Sequence, residues 1–197
     1  MAQAKRRSSN GGNGSKTGNS GEARGSRAAG RGDAIALLKA DHREVEGYFE
    51  AFEKARSDDR KQELAAKICT ALTVHTTIEE EIYYPAFLEA TEEEDLHHEA
   101  AVEHEGAKRL IADIEASGPD DDYFDAKVTV LSDMIKHHVD EEEQPGGLFA
   151  KSRQSEMDLD ALGEQMTARK AELMQRTPAK AGIWPGGEPR SAADVAV

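Results

Sequence analysis

Four stretches of this chain repeat apolar residues at alternating steps of three and four, and each sets a histidine inside its apolar stripe. The first reads Ile35, Leu38, His42, Val45, Phe49, Phe52. The second reads Leu64, Ile68, Ala71, His75, Ile78 or Glu79, Ile82. The third reads His97, Ala100 or Ala101, His104, Ala107, Ile111, Ile114, and the fourth reads Phe124, Val128, Leu131, Ile135, His138, Glu142. Such spacing keeps a stripe on one face of an α-helix and favours shallow crossing angles between packed helices. Four helices of about 20 to 30 residues with short connections predict an all-α, antiparallel up-down four-helix bundle.

Punctuation in the sequence bounds these helices. Asp33 is a side-chain N-cap for a helix over about 34–55. Ser57-Asp58-Asp59 turns into a second helix over about 60–88, with Pro85 near its end. Thr91 caps a third helix whose first turn, Glu92-Glu93-Glu94, suits the positive end of the helix dipole. Ser117-Gly118-Pro119 stops it, Asp120-Asp121-Asp122 opens the fourth, and Pro145-Gly146-Gly147 closes that one. A fifth helix is expected over about 158–176, with Leu159, Leu162, Met166 and Leu173 on one side.

Charge divides the chain. Residues 1–32 carry seven basic residues against Glu22 alone, have no apolar periodicity, and read as a disordered basic low-complexity tail. The whole chain is at −14, so the remainder carries −20. An acidic body of this kind repels nucleic acid and anionic membranes; the basic tail reads first as a solvated segment without a fixed partner, and its charge also suits nucleic acid, an acidic lipid surface or the acidic body itself. The organisation expected is therefore a tail over 1–32, a bundle over 33–150, a further helix within 151–176 that packs on or extends the bundle, and a flexible tail over 177–197 containing the isolated Trp184. No apolar run is long enough to span a membrane, and no secretory leader is apparent. The single cysteine, Cys69, excludes an internal disulfide and reads as a small core residue. A cytoplasmic protein is expected.

The histidines carry the chemistry. His75 and Glu79 stand four apart, as do His138 and Glu142, so each pair shares a helix face one turn apart. One histidine on an apolar face is ordinarily a core residue bonded to a neighbouring acid or carbonyl. Four on four separate stripes, with two carboxylates among them, are costly to bury unless a cation is present. Neutral imidazole with ionised carboxylate suits a first-row transition metal. Six donors exceed the four of a structural zinc site and match two ions sharing Glu79 and Glu142. His137 with Glu141 is the rival register on the fourth helix; His138 is preferred because it continues the Val128-Leu131-Ile135 seam. Glu46, one turn after His42, reads first as a solvated acid, and Tyr83 and Tyr84 read as packing.

The order His42, His75 to Glu79, His104, His138 to Glu142 resembles the hemerythrin-like His-His-Glu cation-binding family over about residues 34–150. The stretch Glu79-Glu80-Glu81-Ile82-Tyr83-Tyr84-Pro85 is similar to that family's acid-rich segment. The resemblance implies a four-helix bundle around two iron ions, oxo- or hydroxo-bridged, with manganese or zinc as substitutes. Its implied ligands are His42, His75, Glu79, His104, His138 and Glu142. Lys108 stands where oxygen-carrying hemerythrins have a further histidine. The function implied is binding of a small diatomic ligand, dioxygen or nitric oxide, or of peroxide, in sensing, scavenging or iron handling. The enzymatic alternative is a di-iron peroxidase or catalase-like protein.

Overall fold

The computed structural model describes residues 32–176. The expected tails, with Trp184, lie outside these residues apart from Gly32. Every regular element described is helical: α1 Ala34–Lys54, α2 Asp58–Ile78, α3 Tyr84–Thr91, α4 Glu94–Glu115, α5 Phe124–Glu143, α6 Leu148–Gln154 and α7 Leu159–Arg176, with a π-helical turn Glu79–Tyr83 joining α2 to α3. The chain forms the expected four-helix bundle, with α1, α2, α4 and α5 as its long members, and α7 lies against α1, α2 and the π-helical turn.

The seams bury as their spacing requires. On α1 the buried side chains include Ile35, Leu38, His42, Val45, Phe49 and Phe52. On α5 they are Phe124, Val128, Leu131, Ser132, Ile135, His138 and Glu142. The Asp33 carboxylate accepts from the Ala36 N–H at 2.8 Å and caps α1. The core is divided lengthwise. One cluster joins Val45 and Phe49 of α1, Leu64, Ile68 and Leu72 of α2, Ile111 of α4 and Leu131 of α5. The other gathers Ile35, Leu38, Ile78, Tyr84, Ala100, Phe149 and Met166. The four seam histidines stand between these clusters, one on each long helix. Cys69 is a buried core residue, and burial pushes its thiol up to about 12.

Three features depart from the expected layout. The second helix is not one regular cylinder over 60–88. Pro85 has no N–H for the Glu81 carbonyl and its ring would crowd that carbonyl in a regular α-turn. The chain instead widens at Glu79–Tyr83, where the Tyr84 N–H reaches back to the Glu79 carbonyl. Ile78 and Glu79 are both buried where this turn begins, and Leu72 rather than Ala71 carries the buried stripe one turn before His75. Second, Thr91 ends α3 instead of capping the next helix; Glu92 takes a left-handed conformation, φ 56°, before α4 begins. Third, a short helix that the sequence did not suggest, α6, follows α5 and buries Leu148 and Phe149, while α7 falls where the further helix was expected.

The turn into α6 depends on Gly147. A Cβ there would stand 2.1 Å from the Glu141 carbonyl oxygen and 2.9 Å from that of Glu142. Gly163 similarly lets α7 close on the start of α1, since its Cβ would meet backbone of Asp33 and Ala34 at 2.9 and 2.8 Å. Among the described residues no helix is long and apolar enough to cross a membrane.

Gly147→Ala is expected to destabilise the fold by roughly 2 kcal/mol or more, because the obstruction is backbone. Gly47→Ala, mid-helix on α1 with open space around it, is expected to stabilise by up to about 1 kcal/mol. Urea unfolding followed by circular dichroism compares the two.

Candidate metal centre

The six residues singled out from the sequence converge. His42, His75, Glu79, His104, His138 and Glu142 are all buried, with Glu79 at 0% and Glu142 at 1% exposure. The imidazoles meet in two pairs: His42 Nε2 lies 3.2 Å from His75 Nε2, and His104 Nε2 lies 3.2 Å from His138 Nε2. Both carboxylates reach across the pairs. Glu79 Oε2 is 3.2 Å from His75 Nε2 and 3.4 Å from His104 Nε2. Glu142 Oε2 is 3.3 Å from His42 Nε2, and its Oε1 is 3.8 Å from His138 Nε2.

The outer ring nitrogens explain why the inner ones face one another. His42 Nδ1 is 2.9 Å from Glu143 Oε1, His104 Nδ1 is 2.9 Å from Glu80 Oε1, and His138 Nδ1 is 2.7 Å from Glu103 Oε2. His75 Nδ1 faces Asp41 Oδ2 at 3.6 Å. An acid at Nδ1 keeps the proton there and turns the Nε2 lone pair inward. Four inward lone pairs and two carboxylates thus share a small dry space. Glu79 Oε1 and Oε2 and Glu142 Oε2 have no hydrogen-bond partner. This donor set fits cations. His42, His75, Glu79 and Glu142 form one group able to hold an ion, and Glu79, His104 and His138 form another.

The protein's own charges show the conflict that a cation would relieve. Burial, and then the neighbouring Glu142, raises the Glu79 carboxyl well above the usual carboxylate range. Burial, and then the nearby His138, brings His104 down to about 4, and burial lowers His75. Both shifts favour the neutral imidazole, whose lone pair is available to a cation.

The halves of the site correspond residue for residue. Asp41, His42, His75, Glu79 and Glu80 match Glu103, His104, His138, Glu142 and Glu143 in their contacts. Asp41 faces His75 as Glu103 faces His138, and Glu80 serves His104 as Glu143 serves His42.

Several site residues lie outside the sequence reading. Tyr84, read as packing, donates its hydroxyl to Glu142 Oε1 at 3.1 Å and stands 3.3 Å from His104 Nε2. Phe149 of α6 stacks on the His42 ring, centroids 5.8 Å apart. Asp41, Glu80, Glu103 and Glu143 adjoin the inward residues in sequence, and that adjacency is the available signal. Lys108 points to Glu80, at 2.6 and 2.7 Å, and not to the inner donors. Glu46 is exposed and pairs with Arg43. His137 is exposed while His138 is buried, so the inward register on α5 is His138 with Glu142. A cavity of about 800 Å³ reaches the seam histidines, lined by α1 and α2 residues such as Val45, Tyr48 and Ala71 and by Lys170 and Met174 of α7.

Residues 33–145 match the family described as the Hemerythrin HHE cation binding domain. A curated relative from Nostoc sp., described as a DNA nickase, is 30% identical over 142 residues, which are 71% of this chain and 40% of the relative. The chain thus spans less than half the length of that protein. Among solved structures, a Hemerythrin HHE cation binding domain-containing protein from Mycobacterium kansasii shares the fold, with TM-score 0.61 and 24% identity over 76% of this chain and 95% of its own.

Glu79→Gln is expected to stabilise the metal-free protein by on the order of 1 kcal/mol near neutral pH. A carboxyl whose pKa is raised on folding loses stability as pH rises above about 4.5. Glutamine has no proton to lose, so its advantage should grow with pH over that window. Urea midpoints of the metal-free variant and parent, measured across pH, check the sign.

Proposed function

Because this chain belongs to the hemerythrin HHE cation binding domain family, we propose that it holds two iron ions in the buried cage and uses them to bind dioxygen, nitric oxide or peroxide. The observation that carries the reading is the pairing of Nε2 atoms, 3.2 Å apart in each pair, around two shared carboxylates with unpartnered oxygens. His42 and His75 would hold one ion and His104 and His138 the other, with Glu79 and Glu142 shared between them. Such a pair supplies redox change and vacant coordination positions for a small ligand.

The chain's own residues supply the rest. Glu143, Glu80 and Glu103 hold the proton on Nδ1 of His42, His104 and His138 and so keep those donors aimed inward, while Asp41 faces His75 Nδ1 at 3.6 Å. Phe149 and Ile135 limit water around them, which raises the weight of every charge inside. The 800 Å³ cavity gives a small molecule a path from the α1–α2 side to the histidines. Lys108, by neutralising Glu80, tempers the pull of that acid on the His104 proton.

A peroxide-consuming enzyme is the second reading, favoured by Tyr84. Its hydroxyl is a proton donor standing against both a carboxylate and an imidazole of the cage. Contact with DNA is a further reading, motivated by the Nostoc relative described as a DNA nickase. The basic residues 1–32 would make that contact, since the rest of the chain is at −20.

Anaerobically purified protein is expected to contain about two irons per chain, with charge-transfer bands appearing in air. Chelation should lower the melting temperature by on the order of 10 °C. A stable fold without stoichiometric metal would overturn the reading. Peroxide turnover by the iron form, abolished in His75→Ala and slowed in Tyr84→Phe, would select the enzymatic reading; no turnover with retained ligand binding would select the carrier.

A further inference from the structure

The fourth bundle helix carries its histidine–glutamate spacing twice, one residue out of phase. His138 and Glu142 turn into the cage. His137 and Glu141 turn outward, and there they meet Glu103 of α4. His137 Nε2 lies 3.1 Å from Glu141 Oε1 and 3.5 Å from Glu103 Oε1. One donor atom from each of the three lies within 4.8 Å of the others. The side chains of Glu103 and Glu141 are only 21% and 28% exposed, while His137 is 66% exposed. Two acids are thus held together beside an open imidazole, and among the described residues neither has a lysine or arginine partner.

We propose that Glu103, His137 and Glu141 form a second, solvent-facing site for a divalent first-row cation such as Zn²⁺, with water completing the coordination. The donor types are right for such an ion: one imidazole and two carboxylates from three side chains, the composition that leaves an open position. The spacing also favours it, because His137 and Glu141 stand one turn apart on α5 and Glu103 closes the group from the neighbouring helix. The site is linked to the buried cage through a single carboxylate. Glu103 presents Oε1 to the outer group and Oε2 to His138 Nδ1 at 2.7 Å. A cation on the outer oxygen draws charge away from the inner one, so filling the outer site weakens the hydrogen bond that orients His138.

The test is a Zn²⁺ titration of the full chain after its buried cage has been loaded, read by calorimetry and by the imidazole signals of His137 in NMR spectra. The parent protein is expected to take up about one further Zn²⁺ per chain, with the His137 signals shifting as it does. His137→Ala and Glu141→Gln should each lose that uptake while retaining the parent's buried metal content and helicity. No further uptake by the parent, or uptake unchanged in both variants, would overturn the proposal and leave the group as a histidine–glutamate ion pair. A buried cage that fails to load is recognised separately, by metal analysis before the titration. In that event the His137 signals and the two variants still decide the outer site.

Discussion

Two ionisable carboxylates, Glu79 and Glu142, stand in the driest part of the molecule facing four imidazole nitrogens, and the rest of the fold is arranged around that placement. Charge so far from water is tolerated only with compensation. The first level of compensation is the outer ring of acids at the Nδ1 atoms, which fixes His42, His104 and His138 as inward donors. The second is the division of the apolar core into two clusters, one above and one below the polar layer. The clusters let four helices close tightly while a polar stratum persists between them. Neither level removes the repulsion between the two carboxylates, and that is the opening a cation fills.

The backbone bends to the same requirement. Where α2 gives way to the π-helical turn, Ile78 and Glu79 are both buried, so an apolar side chain seals the cage while the next residue enters it. The same turn absorbs Pro85 and carries Tyr84 to the site. Proline, the widened turn and the tyrosine contact are one local solution. On the same side of the site, Gly147 allows α6 to fold back at once after α5, which is what places Phe149 on His42 and beside Tyr83.

Much of this is legible in the chain. The alternating steps of three and four locate the long helices, and the histidines interrupting otherwise apolar stripes mark the level of the cage. The choice of His138 over His137 follows from the continuity of the Val128-Leu131-Ile135 stripe and agrees with their burial. What periodicity does not reveal is the role of a residue at the margin of a stripe. Glu80, Glu103 and Glu143 each sit one position from an inward residue, and in sequence such an acid looks the same as a solvated one. Only the approach of a neighbouring helix gives it a partner. Tyr84 escapes the sequence for a related reason, since its direction depends on a turn whose pitch is not that of an α-helix. The short α6 has too few residues to show a period at all.

The correspondence between the two halves of the site is close but not complete, and the mismatch has a consequence. Aspartate at position 41 is one methylene shorter than glutamate at 103, and it is drawn away by Lys170 at 2.5 Å. It therefore faces His75 at 3.6 Å, where Glu103 approaches His138 to 2.7 Å. A stronger hydrogen bond at Nδ1 makes the opposite nitrogen the better electron donor. The two imidazole pairs are thus unequal in basicity, and any two ions they hold would be inequivalent. They would differ in affinity and in reduction potential, so loading and oxidation would proceed in a fixed sequence, one ion before the other.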